Sequence, residues 1–466
     1  MGAGFPAGES FAHRGQWATR HANERECPAY LGFGHLERST QWRQHRDCGG
    51  RRSPDWQAAF SALAVVAATV PAQAFESTPS RWIVVLKDSA GDPSKVSAEH
   101  TSRRNARVNH VYRAALKGYS VTATADELAA VRADPRVAYV EADQPVRPAD
   151  GRPSRNRSQP IAFGEEVNQQ WNLFHIDAVD KAEGGGLTAH RAADVGVAVL
   201  DSGVNVNSPN LNAAVGANCT DSPDPLDTEG HGTAVAGVVG ARNNGGGVLG
   251  VAPGTKIWSV KILGPSESFV SSLICGIDWV TANAHAKNIR VANMSVLTGA
   301  TEAAHQAIRA LAAAGVVTTA SAGNGPFDFQ GSAPAGFPEV LAVTAKDVYN
   351  LPWNFSAFAL REKEIKHTIS APGVDIYVET LPNTLCGSSE RCPLSGTSFS
   401  APQVAAVVAL CLTSGRCKGG TDEIIQTVRS DAREHYLETD RTFGGTPSLG
   451  PKFYGHLVWA GLHRQR

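Results

Sequence analysis

Neither sign of charge is in excess in this sequence. Against 43 Lys and Arg stand 44 Asp and Glu, a formal net charge of -1. That balance gives no footing for nucleic acid or an anionic membrane surface as partner. Long apolar runs are also missing, and the best candidate, Ala58 to Val70, is too short to span a bilayer comfortably. No internal repeat and no long low-complexity tract is present, which excludes solenoids and arrays. What remains is ordinary: 42% hydrophobic and 19% charged residues in 466, enough for two to three domains and one large core.

Residues 1–50 are rich in Arg, His, Gly and Trp without a sustained period, and nothing in them calls for structure. In 51–74, Arg51-Arg52, the apolar run and Ala72-Gln-Ala74 form the basic flank, short core and Ala-x-Ala exit of a secretory signal. Its internal position makes the leader an upstream extension or a wrongly chosen start, and the product is expected to be extracellular. The alternative is a buried Ala-rich helix. Residues 81–146 read as a small α+β domain of the split β-α-β kind. Its strands are Arg81 to Lys87, Leu116 to Ala123 and Val137 to Ala142, and its helices Lys95 to Asn109 and Ala125 to Arg132. Residues 147–169 turn to Arg, Pro, Ser, Asn and Asp and read as an exposed, cleavable linker.

From 170 to 462 the pattern is α/β. Val195 to Asp201 is a continuous apolar run, as a central parallel strand covered on both faces requires. Thr255 to Ile262, Ile289 to Val296 and Val316 to Ala322 are further strands, and His231 to Gly240 and Glu302 to Ala314 are helices. Strands alternating with helices predict a doubly wound, mostly parallel sheet with helices on both faces, its ligands gathered beyond the strands' carboxyl ends. Asp201 and Asn324 both fall at such ends.

A lone Ser before a helix is ordinarily an N-cap, and Ser398 opens the buried helix that continues to Leu410. Two other residues change its reading. Serine attacks a carbonyl only when a base takes its proton, and the base needs a group to hold its tautomer. Asp201-Ser-Gly203, Gly230-His-Gly-Thr233 and Gly396-Thr-Ser398 supply carboxylate, imidazole and hydroxyl, in an Asp, His, Ser order that is not the α/β-hydrolase order. No Gly-x-Ser-x-Gly elbow surrounds Ser398, which argues against an esterase or lipase.

With Val-Leu-Asp201-Ser-Gly, Gly-His231-Gly-Thr-Ala-Val-Ala-Gly, Ala-Ser-Ala-Gly-Asn324 and Gly-Thr-Ser398-Phe-Ser-Ala-Pro in this order, the chain resembles the subtilisin-like serine proteases, on the proteinase K-like side. Residues 81–146 resemble that family's inhibitor I9-type prodomain. The resemblance implies a secreted, monomeric serine endopeptidase made as a zymogen, acting on proteins and peptides and blocked by its own prodomain. The alternative is a catalytically silent binding module on the same fold. Ser398 would attack, His231 would be base and then acid, Asp201 would orient the ring, and Asn324 would donate to the oxyanion beside the backbone N–H of Ser398. Ser295, Val296, Leu297 and Gly323 would bind substrate, with Val260 to Leu263 as the second edge. No cofactor is implied. Thr368 stands where relatives often have a calcium-binding Asp, so the sequence does not support a calcium ion or any other metal. Leu297 and Thr298 replace two glycines of relatives, which predicts poor tolerance of bulky aromatic P1 residues (P1 being the residue whose carbonyl is attacked). Of the 15 pairings open to six cysteines, the expectation is Cys386 with Cys392, Cys411 with Cys417 and Cys219 with Cys275.

Overall fold

Alternation along one strand builds the first domain. In Ser80–Leu86, Val84 and Leu86 face a small core with Val96, Tyr119, Val121 and Leu128. Ile83 and Val85 face the other way and join a second core with Val270, Leu273 and Ile274 of the following domain. The computed structural model describes residues 80–102, 106–149, 152–153, 170–181, 187–245, 247–439 and 447–461. The expected leader, signal segment and most of the linker lie outside these residues. The first domain is a four-stranded antiparallel sheet in the order Arg107–Tyr112, Gly118–Ala123, Ser80–Leu86, Val137–Ala142, with helices Pro93–Thr101 and Ala125–Arg132. The second helix starts at a capping box, in which Thr124 and Glu127 satisfy each other's backbone N–H groups.

One expectation here is corrected. The helix placed over Lys95 to Asn109 ends at Thr101, and Arg107–Tyr112 is a strand. Val108, Val111 and Tyr112 favour extended backbone and pair with Gly118–Ala123, so sheet pairing overrides the polar helical pattern.

The larger domain is organised on seven parallel strands. Their order is Asn212–Asn218, Lys256–Lys261, Gly196–Asp201, Ile289–Met294, Val317–Ser321, Val340–Lys346, Thr368–Pro372. Every residue of Gly196–Asp201 is buried. Val197 and Val199 pack beneath helices His231–Gly240 and Thr397–Thr413, while Ala198 and Leu200 pack beneath Val270–Asn283 and Glu302–Ala313. A strand buried on both faces has no polar side to show, which is why its sequence runs apolar without alternation. The three expected disulfides are present: Cys219–Cys275, Cys386–Cys392 and Cys411–Cys417.

Pro402 lies five residues into the Thr397–Thr413 helix, beyond the first turn where a backbone donor is dispensable. Its ring removes the N–H that Ser398's carbonyl would accept. The Ser295 hydroxyl donates to that carbonyl instead, at 2.8 Å.

Candidate active site

Asp201 ends the Gly196–Asp201 strand fully buried, and His231 is the first residue of the helix that packs over the same strand. The two meet at 2.7 Å between His231 Nδ1 and Asp201 Oδ1. A carboxylate accepts, so Nδ1–H donates and the neutral ring keeps Nε2 as a base. Asp201 Oδ1 also accepts from the Ser202 N–H at 2.7 Å. A second carboxylate holds the start of this helix. Asp227 Oδ1 accepts from Glu229 N and Gly230 N at 3.0 Å and from Ser202 Oγ at 2.9 Å. Asp227 Oδ2 accepts from Thr233 N at 2.9 Å and Thr233 Oγ1 at 2.6 Å.

Ser398 lies in the first turn of the Thr397–Thr413 helix, and the ring of its neighbour Phe399 is 5.9 Å from that of His231, centre to centre. Asn324 follows the Val317–Ser321 strand. Its Oδ1 accepts from Thr397 N and Thr397 Oγ1, both at 2.8 Å. With the oxygen so occupied, the amide's Nδ2 is turned outward as a donor.

Between these groups runs the end of the first domain. Pro145–Pro148 is a strand set between Ser268–Phe269 and Val296–Gly299, antiparallel to both. Ala149 continues it: its N–H donates to Ser295 O at 3.0 Å. Its carbonyl oxygen accepts from Asn324 Nδ2 at 3.0 Å and also from Ser398 Oγ. Beyond 150–151, Arg152–Pro153 pairs with Leu394 and Ser395. The chain is thus held as strand on both sides of the Ala149 carbonyl.

Two expectations change. The stretch 147–149 is not a free linker: Arg147 is exposed, but Ala149 is buried and the strand that leads into it has partners on both edges. Its Pro and Arg content hid a strand, and Pro148 fits because it opposes Val296 at a position between hydrogen-bonded pairs. The second edge is Ser268–Phe269 instead of Val260 to Leu263. Val260 and Lys261 belong to the central sheet, paired with Ala217, Asn218, Leu200 and Asp201. Ser295, Val296 and Leu297 do lie along the tail, and Gly323 lies beside Asn324 with the Leu297 side chain near it.

A cavity of about 340 Å³ stays open beside Pro145–Pro148, bordered by Glu229, Leu263 and Glu267. Burial, and the nearby Asp227 and Asp201, push the Glu229 carboxyl up. Thr368 donates its hydroxyl to Glu364 O at 2.6 Å. Among the described residues no group of three or more His, Cys, Asp or Glu could hold a metal ion, and no helix is long and apolar enough to cross a membrane.

Asp227 and Thr397 were not anticipated from sequence. Asp227 carried a usable signal, an Asp just ahead of a buried helix. Thr397 carried none beyond its place next to Ser398.

The seven-stranded parallel sheet with helices on both faces is the subtilisin-like fold. Residues 192–445 match the Subtilase family (Peptidase S8), and 81–149 match Peptidase inhibitor I9. The chain belongs to the subtilase family and is a serine endopeptidase. It is 34% identical over 297 residues to M-protease of Shouchella clausii (strain KSM-K16), covering 62% of this chain and 68% of that protein. It is 31% identical over 365 residues to the extracellular serine proteinase of Thermus sp. (strain Rt41A), covering 73% and 82%. Its fold is similar to the crystal structure of fervidolysin from Fervidobacterium pennivorans, with TM-score 0.61 and 23% identity over 84% of this chain and 61% of that one. The subtilase needs no organic cofactor.

Proposed function

We propose that Ser398, His231, Asp201 and Asn324 form the catalytic site of a secreted endopeptidase, and that the first bond it cuts is its own, between Ala149 and Asp150. One observation carries this reading: the Ala149 carbonyl oxygen accepts from both Ser398 Oγ and Asn324 Nδ2 on an unbroken chain. In the reaction Ser398 Oγ adds to the Ala149 carbonyl carbon while His231 Nε2 takes the hydroxyl proton. Asp201 stabilises the imidazolium formed. Negative charge moves to the carbonyl oxygen, where Asn324 Nδ2 and the backbone N–H of Ser398 receive it. A side-chain donor so placed is worth about 10²–10³ in rate, a magnitude measured on a subtilisin itself. His231 then gives its proton to the Asp150 amine, and water hydrolyses the ester on Ser398. Substrates pair with Ser295, Val296 and Leu297 as the tail does, so recognition is largely main-chain, with Gly323 beside the bond.

After cleavage residues 81–149 keep the same contacts and block the cleft until removed. Arrival outside the cell is supported by the signal-like segment at 51–74 and by the relative named as an extracellular proteinase. A single polypeptide supplies every group in this mechanism, which supports action as a monomer.

The test is fluorophosphonate labelling together with mass spectrometry of the processed protein. Wild type should label and show a fragment ending at Ala149, and Ser398→Ala should neither label nor cut. Labelling that survives Ser398→Ala overturns the assignment.

A further inference from the structure

Room along the cleft is uneven. Beside Pro145–Pro148 a cavity of about 340 Å³ stays empty, yet Ala149, one residue on, is only 2% exposed. The pleat explains which residues close in. Ala149 bonds to Ser295 and Arg147 opposes Leu297, so Ala149, Arg147 and Leu297 project to one side of the paired strands, and Pro148 and Val296 to the other. On that side Leu297 reaches toward Gly323. Its Cδ1 lies 3.6 Å from the point a Cβ on Gly323 would occupy. The Phe327 ring comes to the same place, with Cζ 2.7 Å from that point. Phe327 Cδ1 and Cε1 are also 2.7 Å from the matching point on Gly325. The ring therefore lies across the two glycines on either side of Asn324, the residue that holds the Ala149 carbonyl. A side chain at either position would force the ring to shift.

Phe327 is anchored from behind. Its N–H donates to Gly325 O at 2.8 Å and its carbonyl accepts from Phe358 N at 3.1 Å. The residue stays 37% exposed, so part of it borders solvent while its ring meets the glycines.

The geometry points to Leu297 and Phe327 as a pair that closes the subsite next to the cleaved bond and restricts the peptidase to chains with a small side chain, alanine or glycine, at P1. This rests on the reading of Ser398 and Asn324 given above. Phe327 is the decisive member, because it comes from a loop outside the paired strands and covers the glycines directly. A benzyl or long aliphatic P1 group must displace the ring, whereas a methyl fits beneath it. The chain's own tail agrees, placing Ala149 at this position, with Pro148 bordering the open cavity.

The processed enzyme is assayed on two peptide p-nitroanilides identical except for Ala or Phe at P1. Wild type should favour Ala in kcat/KM by about 10-fold or more. Phe327→Ala and, independently, Leu297→Gly should each shift the Phe-to-Ala ratio toward Phe by about 10-fold. In the precursor, Ala149→Phe should slow self-cleavage, and adding Phe327→Ala should restore it. Should one variant fail to fold, the other still reports the ratio. Equal turnover of both peptides by wild type, or a ratio unmoved by either variant, overturns the gate. Hydrolysis of the Ala peptide that persists undiminished in Ser398→Ala overturns instead the catalytic reading beneath it.

Discussion

His231 owes its place to a carboxylate other than the one its ring bonds. Asp227 takes up two backbone N–H groups ahead of the helix, one inside it, and the hydroxyls of Ser202 and Thr233. Ser202 Oγ in turn accepts from Gly232 N at 2.9 Å. One side chain thus ties the end of the Asp201 strand to the start of the His231 helix. We expect Asp227→Ala to cost about 2–3 kcal/mol in urea unfolding, a lost cap plus orphaned donors. It should also lower kcat by roughly 10- to 100-fold through misplacement of the ring. Asp227→Asn, keeping one oxygen, should recover part of both. A destabilised variant with kcat intact would leave Asp227 a cap and nothing more. Of the proposed site, Asp201, His231, Asn324 and Ser398 stand out in the sequence because glycine marks each turn and because their order is distinctive. Asp227 offered only the faint signal of an Asp ahead of a helix, and Thr397 and Phe327 offered none, because their partners lie across a loop. No periodicity encodes such contacts.

At the scale of elements, Gly196–Asp201 declared itself as an apolar run, while the equally buried Val340–Lys346 went unread and the outer strands gave no such signal. Asn212–Asn218 has one neighbour, is half-exposed, and is built from Asn, Ala and Gly with a single Val. Thr368–Pro372 is the other edge and closes on a proline, which an edge tolerates. Neither composition says strand. The docking of the first domain was equally silent. Its Glu141 accepts from Ala303 N at 3.2 Å and its Asp143 from Ser271 N at 2.9 Å, each at the start of a peptidase helix. In the opposite direction Asp278, on the Val270–Asn283 helix, accepts from the N–H groups of Arg113, Ala114 and Ala115 at 2.8, 2.6 and 2.8 Å. Three donors on one oxygen make Asp278 the principal peptidase-side latch. Asp278→Ala should weaken the interface by about 2 kcal/mol, near 30-fold in release of the cut first domain. The readout is the lag before processed enzyme reaches full activity on a peptide substrate. A lag equal to wild type would remove Asp278 from the latch.

For the whole molecule, the interface between the two domains decides when activity appears, and acid acts on it with a definite sign. His110 faces the peptidase beside Arg81 and near Asp221, with Glu267 bordering the same hollow. Burial, then the Arg81 charge, lowers its pKa from 6.5 to about 4. A histidine depressed in the complex binds its proton more readily when the domain is released. Its contribution is therefore complete above about 6.5 and is lost progressively as pH falls toward 4. Glu141 and Asp143 run the other way. Burial raises both carboxyls, so protonating them relieves the complex, and that relief starts only as pH nears their own range. From pH 7 to about 5, His110 therefore sets the trend. Release of the cut first domain should accelerate over that interval by an order of magnitude at most, since about 1 kcal/mol is available from a half-buried ring. His110→Asn, neutral throughout, should flatten the profile between pH 7 and 5 while leaving the rate at pH 7.5 near that of wild type. An unchanged slope in His110→Asn would place the sensor elsewhere. His367 is the next ring to test, since burial lowers it to about 4 inside the peptidase, where it donates to Val340 O at 2.8 Å. Its protonation would report as lost stability of the peptidase itself, and so is separable from release of the first domain.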